Sequence, residues 1–160
     1  MYPRVIGIDP GLDGAVAALD VGGEFAHLEP LAGFKPDTIL HLCRGFSALV
    51  VIEKAQAMPK QGVSSMFTYG TGYGRLIGWC EAHNLPHMLV TPHQWTKAMH
   101  TGACGADAKA RSLDTVTRLY PTVELCARFG KKKPHRGVID AMLIATWGMR
   151  HASPPPENAA

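Results

Sequence analysis

The fold is decided by residues 4–15, whose sequence is Arg-Val-Ile-Gly-Ile-Asp-Pro-Gly-Leu-Asp-Gly-Ala. The β-type pattern of this stretch carries a carboxylate, Asp9, to the last position of a strand, and the proline and glycines that follow turn the chain sharply. A second strand-like run begins at Ala15. A carboxylate held rigidly at such a turn is costly to keep ionised unless a metal ion or a phosphate partner lies beside it. The stretch predicts a β-hairpin with a functional acid and leaves the choice between those two partners open.

The composition is that of an ordinary globular protein. The chain has 160 residues, 46% of them hydrophobic, which predicts one domain with a single sizeable core. No apolar run approaches the ~20 residues that cross a bilayer, and no basic segment followed by an apolar stretch opens the sequence, so we expect neither a membrane span nor a signal peptide. The four cysteines include no Cys-x-x-Cys pair. We therefore expect reduced thiols in a cytoplasmic protein rather than a Cys/His zinc site.

The net charge of +3 is unevenly distributed along the chain. Residues 1–53 carry three basic and seven acidic side chains, a net charge of −4, whereas residues 91–136 carry nine basic and three acidic side chains, a net charge of +6. This pattern is typical of an acidic half that holds divalent cations and a basic half that holds a polyanion, and equally of a solvated helix face with one basic loop.

The periodicity of apolar residues predicts a mixed sheet covered by helices. The predicted strands are residues 4–9, 15–20, 24–29, 48–53 and 86–90, and the predicted helices are residues 38–44, 64–83, 107–120 and 137–151. Three antiparallel strands precede strands that alternate with helices, so the first and fourth strands can lie side by side and parallel. Asp9 and Glu53 would then end at the same edge of the sheet.

A third carboxylate, Asp140, lies in the first turn of the last predicted helix. If that helix packs over the same strands, three acids gather around one point and repel each other unless cations lie between them. Oxygen ligands favour Mg²⁺ or Mn²⁺, and two such ions can promote phosphodiester cleavage. The alternatives are a turn-capping role for Asp9, a solvated strand end for Glu53 and a helix-dipole role for Asp140.

Several runs of this sequence resemble the RuvC family of Holliday-junction resolvases, especially its short phage-type branch. The runs are residues 6–11 (Ile-Gly-Ile-Asp-Pro-Gly), 51–53 (Val-Ile-Glu), 58–65 (Met-Pro-Lys-Gln-Gly-Val-Ser-Ser), 91–97 (Thr-Pro-His-Gln-Trp-Thr-Lys), 109–112 (Lys-Ala-Arg-Ser) and 139–145 (Ile-Asp-Ala-Met-Leu-Ile-Ala). The resemblance covers about residues 4–151.

The resemblance implies an α/β fold of the ribonuclease-H-like type, with a mixed five-stranded sheet flanked by helices. One nuclease domain would span residues 1–151, and a disordered tail residues 152–160. The implied activity is metal-dependent, structure-selective cleavage of four-way DNA junctions by paired phosphodiester hydrolysis, in recombination and repair. The protein would be a homodimer in the cytoplasm of a bacterial or phage-infected cell, with Mg²⁺ or Mn²⁺, two ions per site.

The resemblance also implies four catalytic, metal-binding residues. Asp9, Glu53 and Asp140 match three of them, whereas no acid stands at the usual fourth position. His135 is the candidate there, as a ligand or as a general base, and Asp13 is the alternative. The expected DNA contacts are Lys54, Gln56, Met58, Lys60, Lys97, Lys109, Lys131, Lys132, Lys133 and Arg136.

The helix predicted at residues 64–83 has glycine every four residues, at Gly70, Gly74 and Gly78. Because glycine destabilises a helix interior, this stripe predicts a closely packed neighbour, either in the same chain or in a second subunit. Near the start of the helix, Met66 and Phe67 read as the beginning of its core face, with wedges between DNA bases as the alternative.

Three other functions are compatible with parts of the sequence. An ATP-binding fold of the actin and sugar-kinase type also opens on a strand and an acidic hairpin, but it needs a second such hairpin and an adenosine-binding glycine pair. A nuclease of the same fold could act on RNA or on other branched or single-stranded nucleic acid. A catalytically weak junction-binding relative would account for the missing fourth acid.

Overall fold

A computed structural model describes residues 2–11, 13–31, 36–45, 47–56, 62–123, 125 and 133–152. The strands are β1 (Arg4–Asp9), β2 (Ala15–Asp20), β3 (Phe25–Pro30), β4 (Ala48–Glu53) and β5 (His87–Val90). The helices are α1 (Pro36–Cys43), α2 (Val63–Ala82), α3 (Pro92–Met99), α4 (Ala108–Leu119) and α5 (Arg136–His151).

The five strands form one mixed sheet in the order β3-β2-β1-β4-β5. β1 and β2 pair as an antiparallel hairpin, β2 pairs with β3 in the same sense, and β4 and β5 continue the sheet parallel to β1. The register of β1 on β4 sets Ile8 opposite Ile52. The predicted parallel pairing of the first and fourth strands is therefore confirmed, and both strands end at the same edge.

Alternating side chains of the central strands feed two hydrophobic cores. Val5, Leu49 and Val51 pack on one face together with α3, α4 and α5. Ile6 and Ile52 pack on the opposite face with α1 and α2. Because the central strands are buried on both faces, they read as nearly continuous apolar runs in the sequence.

Glycines let α5 lie directly on the sheet. A Cβ at Gly7 in β1 would collide with the backbone of Ala141 and Ala145 in α5. A Cβ at Gly137, in the first turn of α5, would collide with the backbone of Asp13 and Gly14 in the β1–β2 hairpin. The helix is thus fixed above β1 and β2 at both points, and its N-terminal turn lies at the edge where β1 ends.

One predicted connection is wrong. The sequence prediction has no helix between the strand at residues 86–90 and the helix at residues 107–120, but helix α3 begins at Pro92, directly after Thr91. Thr91 caps α3 by accepting a hydrogen bond from the Gln94 backbone N–H, and the Gln94 side chain accepts one in return from the Thr91 N–H. The other predicted elements are present, with ends that differ by at most two residues.

Two further expectations concern the C-terminal tail and membrane-spanning helices. The predicted tail at residues 152–160 lies outside the described residues except for Ala152, which follows α5. Within the described part of the chain, no helix has the length and apolar character needed to span a membrane.

Candidate active site

Two of the predicted carboxylates end neighbouring parallel strands on the same face of the sheet. Because side chains alternate along a strand, Asp9 lies on the same face of the sheet as Val5. Glu53 lies on the same face as Leu49 and Val51, so both acids point to the face that α5 covers. The β1–β4 register, extended by one residue, sets the two acids side by side.

The third predicted carboxylate, Asp140, reaches the same place from the first turns of α5. A cavity of about 380 Å³ opens where the strands end and the helix begins. It is lined by Asp9, Gly11, Asp13, Glu53, Pro92, Trp95, Thr96, Ala108, Lys109, Ser112, Arg136, Gly137 and Asp140. The structure therefore brings Asp9, Glu53 and Asp140 together around one cavity, as the sequence predicted.

Burial and mutual repulsion make these carboxylates weak acids. Burial, followed by the charges of Asp9 and Asp140, raises the pKa of Glu53 to about 7. Burial and the charge of Asp9 raise the pKa of Asp140 to about 6. Burial also raises the pKa of Asp9. The cluster thus resists full ionisation at neutral pH, as expected for buried acids that lie close together.

Each of the three carboxylates accepts a hydrogen bond from a neutral donor. The Gly11 N–H donates to Asp9 Oδ1 at 3.0 Å, and Trp95 Nε1 donates to Glu53 Oε1 at 3.0 Å. The Ser112 side chain hydrogen-bonds to Asp140. Neutral donors orient a carboxylate without cancelling its charge, so the negative potential of the cavity remains.

Arg136 brings a positive charge to the mouth of the cavity. Its Nε lies 3.6 Å from Asp140 Oδ2, one helical turn away, and its side chain is 63% exposed. The guanidinium lowers the pKa of Asp9, Glu53 and Asp140 against the effect of burial. Arg136 is thus a cation, among the described residues, whose charge acts on all three acids.

The two candidates for a fourth ligand lie in different positions. Asp13 is exposed and lines the cavity. His135 is the N-cap of α5, where its Nδ1 accepts the Val138 backbone N–H at 3.3 Å. The charge of His135 also lowers the pKa of Asp9, so the ring lies near the cluster, although it does not line the cavity. Because Nδ1 accepts, the neutral ring carries its proton on Nε2, so His135 would have to give up the cap to act as a metal ligand or a general base.

The predicted DNA contacts divide into three groups. Lys109 and Arg136 line the cavity. Four further residues are exposed outside the lining, namely Lys54, Gln56, Lys97 and Lys133. The remaining four lie outside the described residues, namely Met58, Lys60, Lys131 and Lys132.

Sequence reasoning missed several residues of the site. Trp95 was noted only as part of a resembling run, and it is buried with its N–H donated to Glu53. Ser112 was noted only as part of a resembling run, and it lines the cavity beside Asp140. Burial and the charges of Glu53 and Asp9 raise the pKa of Tyr69 to about 12, which indicates that this phenol from α2 lies near the carboxylates.

Met66 and Phe67 do not begin a core face of α2. Phe67 is 77% exposed, and Met66 and Val63 are also exposed. The expectation that these side chains are buried is wrong, because the buried residues of α2 are Leu76 and Cys80, in its second half.

The donor set suits a hard divalent cation. The acids supply only carboxylate oxygens, the ligands that Mg²⁺ and Mn²⁺ prefer. As they stand, no three His, Cys, Asp or Glu side chains among the described residues form a group that could hold a metal ion. The acids share one cavity and interact electrostatically, so the chemistry and placement fit the cation, whereas a closed set of ligands requires their side chains to draw together.

The sheet order, the helices on both faces and the acids at the ends of β1 and β4 define a ribonuclease-H-like fold. The chain is similar in structure to Thermus thermophilus RuvC in complex with Holliday junction substrate, with a TM-score of 0.63 and 19% identity over 92% of this chain and 94% of that one. A second Thermus thermophilus RuvC structure gives a TM-score of 0.58 and 18% identity over 92% and 95%. No protein-family model matches the sequence, and no curated protein does. The predicted fold class and its RuvC-like form are confirmed.

Proposed function

We propose that this chain is a metal-dependent endonuclease of the RuvC type that resolves four-way DNA junctions by paired phosphodiester hydrolysis. One observation carries the proposal. Asp9, Glu53 and Asp140, from two strands and a helix, line one cavity on a RuvC-like fold. Residues 1–151 would act as a single nuclease domain.

The carboxylates would hold two Mg²⁺ or Mn²⁺ ions, which supply an activated water and stabilise the leaving oxygen when bound. Of the two candidates for a fourth ligand, Asp13 is better placed because it lines the cavity. His135, whose Nδ1 accepts a backbone N–H as the helix cap, carries its ring proton on Nε2 and is better suited to donate that proton to a phosphate.

Basic residues at two distances from the acids would hold the DNA. Lys109 and Arg136 line the cavity and would contact the phosphates nearest the reacting bond. The exposed residues Lys54, Gln56, Lys97 and Lys133 would contact phosphates farther out. From the sequence alone, we assign the same role to Met58, Lys60, Lys131 and Lys132.

Paired cutting of two strands needs two active sites, so we propose a homodimer. The glycine-striped face of α2 supports this. Within the described residues, nothing lies within 4 Å of a Cβ placed at Gly70, Gly74 or Gly78, so the stripe has no close neighbour in its own chain there. Exposed Phe67 adds apolar surface to the same helix. Action on chromosomal or phage DNA would place the dimer in the cytoplasm.

The decisive experiment compares wild type with Asp9→Asn on labelled four-way junction, duplex, splayed-arm and single-stranded DNA and on RNA, each with Mg²⁺ or Mn²⁺. Glu24→Gln is the matched control because it removes an exposed carboxylate at the opposite end of the sheet. We expect symmetric paired nicks in the junction by wild type and Glu24→Gln, and binding without cutting by Asp9→Asn.

The other outcomes separate the alternatives. Junction binding by wild type without cutting in either metal would indicate a non-catalytic junction-binding protein. Equal cutting of linear single strands or of RNA would show a nuclease with a different substrate, and the junction assignment would be wrong.

A further inference from the structure

Ser112 occupies a buried position between Asp140 and a histidine. Ser112 lies on α4, is 4% exposed and lines the carboxylate cavity. Its Oγ lies 3.0 Å from His100 Nε2, and its side chain hydrogen-bonds to Asp140. The Ser112 hydroxyl therefore connects Asp140 on α5 to His100, which follows α3.

The chemistry of the three groups determines the direction of both hydrogen bonds. An ionised carboxylate only accepts, and a hydroxyl has one proton to donate. Ser112 must give that proton to Asp140, so its oxygen accepts from His100 Nε2–H. The His100 ring then carries its proton on Nε2.

The surroundings of His100 keep its ring neutral and fixed. Burial and the charge of Arg111 lower the pKa of His100. The ring also packs edge-on against Trp95, with 5.9 Å between the ring centroids. Trp95 in turn donates to Glu53, so His100 contacts both the residue that holds Glu53 and the Ser112 hydroxyl.

We propose that Ser112 and His100 are positioning residues for Asp140. The Ser112 hydroxyl, oriented by His100 Nε2–H, fixes the Asp140 carboxylate at the cavity and so sets the affinity of the site for a divalent cation. This inference rests on the proposed function, because it assigns Asp140 a role as a metal ligand. Outer partners of this kind typically change metal affinity by 10–100-fold when removed.

The test uses the full chain, Mn²⁺ as the probe and isothermal calorimetry at pH 8. Ser112→Ala should bind Mn²⁺ at least about tenfold more weakly than wild type. Thr115→Val is the matched control. Thr115 is another buried hydroxyl on α4, but its one proton is shared between the Met99 and Arg111 backbone carbonyls, and it does not line the cavity. Its variant should keep wild-type Mn²⁺ affinity.

A second measurement requires no substitution. Long-range ¹H–¹⁵N correlation spectra of the wild-type protein at pH 8 report which ring nitrogen of His100 carries the proton. We expect Nε2–H. A ring protonated only on Nδ1 would overturn the proposal, because Ser112 would then donate to the histidine and leave Asp140 without its donor.

The outcomes distinguish this inference from the proposed function. Equal Mn²⁺ affinity in Ser112→Ala and wild type would overturn the positioning role while junction cutting by wild type still supports the nuclease. If wild type binds Mn²⁺ more tightly than Ser112→Ala but cuts no junction, the positioning role is supported and the proposed function is wrong.

Discussion

Glu53→Gln should stabilise the metal-free protein at alkaline pH. The amide replaces a carboxylate whose pKa is raised from 4.5 to about 7, chiefly by burial. It keeps the Oε1 acceptor for Trp95 Nε1–H, which donates at 3.0 Å in the wild type. The substitution therefore removes the buried charge and little else.

The magnitude follows from the pKa. Raising a carboxyl pKa from 4.5 to about 7 costs the folded, ionised state roughly 3 kcal/mol. Part of this cost comes from repulsion by Asp9 and Asp140, and it weakens when either neighbour takes up a proton. We therefore expect Glu53→Gln to gain about 2–3 kcal/mol in free energy of unfolding at pH 8. For a chain of this length, that corresponds to a melting temperature about 5–10 °C higher.

The pH dependence follows from the same pKa. The folded protein binds this proton more tightly than the unfolded chain, so the stabilisation that Glu53 retains below pH 4.5 is lost as pH rises through about 7. The difference between Glu53→Gln and wild type should be largest at pH 8 and should vanish near pH 4.5.

The assay is urea unfolding in EDTA across this pH range, with Glu24→Gln as the control carboxylate at an exposed turn. The control should stay within ~0.5 kcal/mol of wild type. Added Mn²⁺ should stabilise wild type more than Glu53→Gln. A variant no more stable than wild type at pH 8, or a difference that does not depend on pH, would refute the reasoning.

Three further substitutions test the packing, the charge and the assembly. Gly7→Ala should cost about 3 kcal/mol in urea unfolding because its Cβ would meet the backbone of α5, whereas Gly22→Ala, in open space, should change little. Arg136→Gln should tighten Mn²⁺ binding up to about fivefold by calorimetry, since it removes a guanidinium 3.6 Å from Asp140; weaker binding would contradict this. Gly74→Leu should leave the circular dichroism spectrum intact but give monomers in sedimentation equilibrium, and an unchanged dimer would exclude this face of α2.

The carboxylates at the two strand ends could be predicted because their position follows from local periodicity. A run of apolar residues with one acid at its end identifies each strand. The alternation of side chains then determines which face of the sheet Asp9 and Glu53 share. The apolar pattern places Asp140 at the start of α5, but its approach to the other two acids depends on how that helix packs, and the structure shows that Gly7 permits the close contact.

The partners of these acids could not be predicted in the same way. Trp95 lies 42 residues from Glu53 in the sequence, and their hydrogen bond depends on how α3 packs against β4. The start of α3 did carry a local pattern, with Thr91 three residues before Gln94 and proline between them, which is typical of a capping box. Reading that pattern would have brought Trp95 to the end of the sheet where Glu53 lies.

Under the proposed function, the charge of the cavity would link metal binding to DNA binding. Among the described residues that line it, four are acidic and two are basic, so full ionisation gives a net charge of −2. A phosphodiester is repelled from such a cavity, and the raised pKa values of Glu53 and Asp140 show that the acids repel one another as well. Two divalent cations would reverse the sign to +2. Because coupling between two ligands is reciprocal, metal that favours a junction phosphate must itself be held more tightly once that phosphate is bound. Arg136 is exposed at the mouth of the cavity beside Asp140. When metal binds Asp140, the Arg136 guanidinium would be released to contact a DNA phosphate.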